Sequence, residues 1–465
     1  MTVLGKELLE RLQTVQFFSL LAVSLVVFGC GAIGFVASYP PERAFYAAKV
    51  AEADRQPSTI GTNLYRPPQL LRFVADGGDR YRPFEYRLGT MGQISPMSSR
   101  PGNQRLLDVP EMDWAFIVKV IFSFYAVLLG FDAVAGERES GTLTLVLANP
   151  IRRGRLLASK FGAILLSALI PLCAGLLLHL TIIGSFEPQV LMPSQLLRIA
   201  SAGALMVTYV SIFALLSVLC SALIRRSSLV LLVLLGAWVV LAVIVPNVSG
   251  IVSQAFARVP TELQFARMVD PMIKEQVWGR IREIQSRVSS GAITSADEVR
   301  KEADRAYEAG ARALEEHHEA YRRAIREQEA TARRWSRLSP AALLQYALEG
   351  VAMTGSNSEE AFRREAIDYS HVYDAYVEKK VGKLVRSSGY RFGTGIIFKG
   401  AYLDVSSPVP TEYSGDQSDF PHFALPRLSF PEALRNALGD LVGLLSWNIV
   451  LAVLALLAFG RMDVR

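Results

Sequence analysis

His317 and His318 stand side by side in LEEHHEAY and invite a metal-site or protease reading. Their spacing does not suit a zinc peptidase, which needs H-E-x-x-H to bring two imidazoles onto one helical face. The solvated face of a charged helix accounts for them better. No G-x-x-x-x-G-K-[ST] phosphate loop, G-x-S-x-G nucleophile elbow or Cys–His cluster with metal spacing occurs in the sequence. The chain is therefore not expected to be an enzyme, and nucleotide energy would have to come from another subunit. One stretch is left whose order asks for an explanation: FDAVAGERESGTLTLVLANPIRRGRLLASK, residues 131–160. Glu137 and Glu139 would sit near a helix start, where the dipole favours acids. Leu143, Leu145, Val146 and Leu147 follow, and Asn149-Pro150 stops the helix before a basic patch. A loop shaped only by topology would explain the arginines, but not the order acid-x-acid-x-Gly-Thr-Leu.

The elements around that stretch are apolar. Hydrophobic residues make up 51% of the 465, and the mean hydropathy of +0.28 is high for a soluble protein. The apolar runs gather at the N-terminus, over 114–248 and at the C-terminus, whereas 250–435 reads as ordinary soluble sequence. A bilayer core takes about 20 apolar residues as a helix. Six segments meet that length: roughly 17–38, 114–131, 156–183, 196–224, 229–245 and 438–459. The first has no persuasive cleavage site after it and is read as a span, not a signal peptide. Ahead of it, Leu4, Leu8 and Leu12 share one helical face while Lys6, Glu7 and Arg11 lie elsewhere, as in a helix lying along the interface. Cys30, Cys173 and Cys220 all fall within apolar runs, so the large insert has no disulfide.

Loop charges orient the spans. Lys6 and Arg11 precede the first, and Arg138, Arg152, Arg153, Arg155 and Lys160 lie between the second and third. Arg225 and Arg226 separate the fourth from the fifth, and Arg461 and Arg465 follow the last, while 185–195 has neither Lys nor Arg. The positive-inside rule then places both termini and the 131–160 stretch in the cytoplasm. The formal net charge of +6 serves this topology, and no basic stripe with interleaved aromatics points to nucleic acid. Lys119, His179 and Asp440 are the ionisable residues inside spans that stand out, and all three read as shallow and able to snorkel.

Two inserts remain outside. The first, 39–112, is rich in Pro and Gly, as in YRPPQLLRF, and predicts irregular or short-strand structure. In the second, 247–436, Ile273, Val277, Ile281, Ile284 and Val288 form one helical stripe ended by Ser289-Ser290-Gly291. A second helix opens on a capping-box pattern, Ser295 to Glu298, with Val299, Ala303, Tyr307, Leu314, Tyr321, Ile325 and Trp335 as its small or apolar residues and Pro340 after its end. The pair predicts an antiparallel helical hairpin. A third helix after SNSE (356–359) carries Phe362, Tyr369, Tyr373 and Tyr376 at helical spacing, which reads as a core, and 390–431 reads as loop.

The 131–160 stretch resembles the signature of permease subunits of type-2 ATP-binding-cassette exporters, which runs E-x-E-x-G-T-L, a Leu-rich turn, a Pro, a basic or polar residue, then a Lys opening the next span. Glu137, Glu139, Gly141, Thr142, Leu143, Leu147, Pro150, Arg152 and Lys160 match it. The resemblance implies that this is the coupling helix, with Arg138 among its charges, docking into a groove on a separate ATPase subunit. It implies two such ATPases per complex, with ATP and magnesium on them and no cofactor in this chain. It also implies a second permease, identical or related, in the bacterial cytoplasmic (inner) membrane. LSPAALLQYALEGVAMTGSNSEEAFRREAIDY and the terminal RMDVR resemble a subgroup with a large domain between the fifth and sixth spans. Members of that wider group are associated with copper-site maturation and gliding-motility machinery, so the outer domain is expected to engage an extracytoplasmic partner protein.

The expectation is an all-α membrane protein with an interfacial helix (1–16) and spans at 17–38, 113–134, 156–184, 196–224, 228–246 and 437–460. A coupling helix and basic loop would fill 135–155, a helical outer domain 247–436, and a cytoplasmic tail 461–465. Its function would be ATP-coupled export of a substrate, or mechanical work on the outer partner. The alternative is a membrane-anchored receptor or assembly scaffold without ATP coupling.

Overall fold

The computed structural model describes residues 3–59, 61–89, 94–98, 112–144, 152–256, 258–381, 395–405, 413, 415–425 and 429–461. Among these residues, six helices are long and apolar enough to cross a membrane: α2 (Val15–Arg55), α3 (Trp114–Glu139), α4 (Arg153–Phe186), α5 (Pro193–Leu223), α6 (Ser227–Ser253) and α11 (Phe430–Arg461). A short helix, α1 (Val3–Leu12), precedes them. Between α6 and α11 stand α7 (Glu262–Ser289), α8 (Ala296–Ser336), α9 (Pro340–Ala352) and α10 (Gly355–Val381). The protein is an all-α membrane protein with two small sheets. Their strands are β1 (Gly61–Tyr65), β2 (Glu85–Gly89), β3 (Ile94–Ser98), β4 (Gly395–Phe398) and β5 (Ala401–Asp404).

The bundle core is centred on α3, α4 and α5. Phe28, Trp114, Phe122, Ile164, Met206, Tyr209 and Phe213 are all fully buried within it. Gly175 lets α2 lie close on α4: a Cβ there would come within 2.2 Å of the Phe28 ring. Both α3 and α6 change to π-helical geometry partway, at Val118–Phe122 and Val239–Ile244. Such segments loosen the backbone ladder and are found most often at functional sites.

Several sequence expectations need correcting. The helix that contains the first span does not stop near 38. It continues through Pro40 and Pro41 to Arg55, because its upper turns are tied down by Arg72 to Glu42 and Ser38, and by Arg43 to Glu187. The three ionisable residues read as shallow are instead engaged. His179 is fully buried among Phe28, Phe73 and Trp114, with Nδ1 2.8 Å from the Phe28 carbonyl. Asp440 is 2% exposed and holds Arg337, while Lys119 donates to Gln345. Each found a partner from a distant segment, which removes the need to snorkel.

In the first insert, β1, β2 and β3 form an antiparallel sheet in that order, with Gly61 opposite Gly89 and Tyr65 opposite Glu85. The inner face of the sheet, Leu64, Tyr86 and Leu88, packs on Phe362, Tyr369, Tyr373 and Tyr376 of α10. The third-helix aromatics thus form a core, although the helix begins at Gly355 and SNSE lies inside it. The α7–α8 hairpin forms as the stripe predicts: Ile273, Val277, Ile281 and Ile284 are buried against Val299, Ala303, Tyr307 and Leu314. Gly310 allows the close crossing, since a Cβ there would meet Val277 at 2.5 Å. Ser295 sits at the N-cap of α8 but makes no side-chain cap bond; the formed capping box is Thr261 with Gln264, on α7. Trp335 is half exposed. Within 390–431, read as loop, β4 and β5 pair as a hairpin against α7, with the Gln285 side chain bonding both Ile397 backbone groups.

Helix α9 has a start signal in Ser339-Pro340, but no period along its length. Eleven of its residues, from Pro340 to Ala352, are buried, so it carries no polar face and no amphipathic period. Ser339 caps it, accepting from Ala341 and Ala342 N–H and donating to the Leu241 carbonyl in the π segment of α6. Ser339→Ala should cost at least about 1 kcal/mol, the usual loss for an N-cap. A lowered unfolding midpoint of the detergent-solubilised chain would show it.

Candidate functional site

The Glu-x-Glu-x-Gly-Thr-Leu stretch lies at the end of the bundle opposite the inserts. After Gly130, α3 makes a turn and resumes at Ala135. The Ser221 hydroxyl of α5 takes up the amides freed there, lying 2.9 Å from both Val134 N and Ala135 N. Val134 and Ala135 are fully buried. The start of the motif is thus fixed to the fourth span.

Its first acid turns inward. Glu137 Oε1 lies 2.6 Å from Lys160 Nζ, and the same ammonium lies 3.0 Å from Glu7 Oε1 on α1. Lys160 is 1% exposed, so one cation at the inner face of α4 joins the N-terminal helix to the motif. Arg11 of α1 adds a second tie by donating to the Leu129 carbonyl. The second acid turns outward along the surface: Glu139 accepts from Ser227 N at 3.0 Å and Ser227 Oγ at 2.6 Å. This supplies the N-terminus of the fifth span with the acidic cap that its own sequence lacks.

The helix then breaks. Gly141 has φ +74°, a left-handed conformation that suits glycine. The sequence predicts one helix from 137 to 149, but the described part is a helix ending at Glu139, a break at Ser140-Gly141, and a new helical stretch starting at Thr142. Thr142 Oγ1 reaches back to the Glu137 carbonyl at 3.3 Å, and Thr144 Oγ1 bonds the Gly141 carbonyl at 2.8 Å. Leu143 is 2% exposed and belongs to the bundle core, whereas Thr142 and Thr144 face outward. Arg138 is half-buried on the motif helix, and exposed Arg152 holds the N-cap position of α4. Arg153 bonds the Gly460 carbonyl at 2.9 Å, joining the sixth span to the same end. Leu147 and Pro150, also expected at the site, lie outside the described residues. Gly141→Ala should cost about 1 kcal/mol of backbone strain with no steric clash, as a Cβ there meets nothing within 4 Å. A small fall in unfolding midpoint with unchanged span packing would check it.

The sequence reading brought Glu137, Glu139, Gly141 and Lys160 to one place, and they do lie together. It did not find Glu7, Arg11, Ser221 or Ser227 as their partners. The only signal for Glu7 and Arg11 was their position off the apolar face of α1.

At the insert end a second polar group converges. Lys119 Nζ lies 2.5 Å from Gln345 Oε1, and Gln345 Nε2 lies 2.8 Å from Glu349 Oε1. Glu349 is 7% exposed and is cradled by Gly77 and Gly355. Burial lifts its carboxyl above the usual range, while Gln345, Arg333, Lys119 and Arg82 pull it down. Among the described residues no cluster of three or more metal-ligating side chains occurs.

Six apolar helices, with a charged stretch pinned to α1, α4, α5 and α6 at one end and a helical insert at the other, define a multi-pass membrane protein. The chain belongs to the ABC-2 family transporter proteins, whose pattern matches residues 1–464. It is similar to a Pseudomonas aeruginosa protein named "Probable ABC transporter permease protein NosY", at 42% identity over 71 residues, 14% of this chain and 26% of that protein. A protein of the same name from Stutzerimonas stutzeri is 41% identical over 75 residues, 15% of this chain and 27% of the relative. The match spans about a quarter of the length of these curated relatives.

Proposed function

We propose that this chain is the non-catalytic permease subunit of an ATP-binding-cassette complex in the bacterial cytoplasmic membrane. Both termini and the 131–160 stretch would face the cytoplasm. Two separate ATPase subunits, holding ATP and magnesium, would press on the turn from Glu137 to Thr144 and on Arg152, and a second permease would complete the complex. The observation that carries this reading is the way the turn is anchored. Glu137 ties it to α4 and α1, Glu139 to α6, and Ser221 of α5 to its start, so a push on it is delivered to several spans at once.

Mechanical work on an extracytoplasmic partner is favoured over passage of a cargo. The ionisable side chains Lys119 and Asp440 are used to hold the outer insert, through Gln345 and Arg337. Neither contributes to a chain of polar groups running between the two ends.

The test is ATP turnover by the full complex in nanodiscs. Thr142→Trp with Thr144→Trp changes only exposed positions on the turn. Turnover stimulated by this chain should fall roughly tenfold or more, the loss expected when an interface hot spot is blocked, with the chain's unfolding midpoint unchanged. A receptor or scaffold without ATP coupling predicts no change in turnover.

A further inference from the structure

Residues 337–339 join α8 to α9, and two of them are fastened into the spans. Arg337 grips Asp440 of α11 at two points, Nε to Oδ1 at 2.6 Å and Nη2 to Oδ2 at 3.1 Å. Ser339 donates to the Leu241 carbonyl in the π segment of α6. The base of α8 is also fixed to α9: the Ser336 and Tyr346 hydroxyls lie 2.8 Å apart, and the guanidiniums of Arg333 and Arg337 stack over the Tyr346 ring at 5.0 and 5.8 Å. Helix α9 in turn lies flat on α11, where a Cβ on Gly350 would come within 3.1 Å of Ala437 N and one on Gly443 within 2.9 Å of Leu343. It also packs on α5, and its Gln345 accepts from Lys119 in the π segment of α3. Both irregular stretches of the spans thus also touch this part of the chain, Val239–Ile244 through Ser339 and Val118–Phe122 through Gln345.

We propose that the Arg337–Asp440 pair is a positioning joint that passes movement of the fifth and sixth spans to the hairpin, with α9 as the stiff piece between them. The inference rests on the ATP-driven reading above. The hairpin is well placed to act as a lever, because it follows α6 in the chain while its base is clamped to α11 by Arg337 and packed on α11 through α9, so a relative shift of those two spans is felt at its base. With 41 residues in α8, the helix is about 60 Å long, and a tilt of about 5° moves its far end by about 5 Å. A two-point guanidinium–carboxylate clamp fixes angle as well as distance, and a lever requires the angle to be fixed. Asp440 is buried and has the sixth span's backbone behind it, so the clamp is anchored at a rigid end.

Distances between spin labels in the full chain with its ATPase subunits, in nanodiscs, test this. Cys30, Cys173 and Cys220 are first replaced by serine. One label pair, on exposed Ser290 and Arg87, reports the hairpin tip against the outer sheet; the other, on exposed Ala158 and Ser228, reports the motif end. In the unmodified complex both distances should change when ATP and vanadate are added. Asp440→Asn should keep the motif-end change and lose more than half of the tip change. Arg337→Lys keeps a positive charge beside Asp440 and so protects folding, yet gives up the two-point grip; it should also shrink the tip change. A tip change of full size in both variants overturns the joint while leaving the ATP-driven reading standing. Absence of any motif-end change in the unmodified complex overturns that reading, and the joint with it.

Discussion

Replacing Lys160 with methionine should abolish coupling and strongly destabilise the motif end of the bundle. The ammonium is 1% exposed and lies between Glu7 and Glu137, which are 14% and 26% exposed. Without it, two carboxylates on different helices face each other across a space from which water is largely excluded. Breaking a buried pair by removing one partner costs about 3–5 kcal/mol; the part-exposed acids place this site at the lower end. The functional loss should exceed the loss of stability. Glu137 would no longer transmit a push into α4, and α1 would come away from the motif. The expected result is a lower unfolding midpoint together with loss of ATP turnover stimulated by the chain. Lys160→Met combined with Glu137→Met and Glu7→Gln should regain stability, since apolar and neutral groups of similar volume replace the broken ion pairs. It should not regain stimulation. Recovery of both by the triple variant would show that the ion pairs serve packing alone.

The second large effect is expected at the other end. Arg66→Met should unfold the first outer insert while leaving the spans intact. Arg66 is 1% exposed and Asp79 is fully buried. The guanidinium bonds the Asp79 side chain, the Asp79 carbonyl at 3.0 Å and the Pro83 carbonyl at 3.4 Å. It thereby fixes the 79–83 turn against β1, and through it the β1–β2 register that presents Leu64, Tyr86 and Leu88 to α10. Removal of one member of so buried a pair should cost about 3–5 kcal/mol, more than a sheet of three short strands can spare. Limited proteolysis of the chain in nanodiscs reads this out. Cleavage within 61–89 should appear at protease levels that leave the unmodified chain whole, and the fragment carrying α3 to α6 should persist. Equal resistance of the two proteins would contradict it.

The reach of the sequence follows from what each element needs. Spans are legible because hydropathy accumulates along a continuous run, and all six appear as helices. The α7 stripe was legible because its buried face recurs at helical spacing, and the α10 aromatics for the same reason. Helix α9 was not, because an element buried on all sides has no period, and its 13 residues are too few to read as a span. Snorkelling was the wrong expectation at His179, Lys119 and Asp440, since position along a span does not show what packs over a side chain. The partners that hold them inside come from residues 28, 345 and 337. At the candidate site the motif was readable as an ordered string, but its geometry was not. Lys160 meets Glu7, a residue 153 positions away, and Glu139 meets Ser227, 88 positions away. The break at Gly141 could have been expected from the glycine alone, because a left-handed residue ends a helix.

The account stands on the 131–160 stretch being the place where an ATPase presses on this chain. A photo-crosslinking amino acid at Thr144, which is exposed on the turn, tests that in the full complex within its membrane. The crosslinked product, cut out and sequenced, should be a separate subunit carrying a G-x-x-x-x-G-K-[ST] loop, and its yield should change when ATP and vanadate are added. Crosslinks to lipid alone, in membranes where that ATPase co-purifies with the chain, would contradict the account.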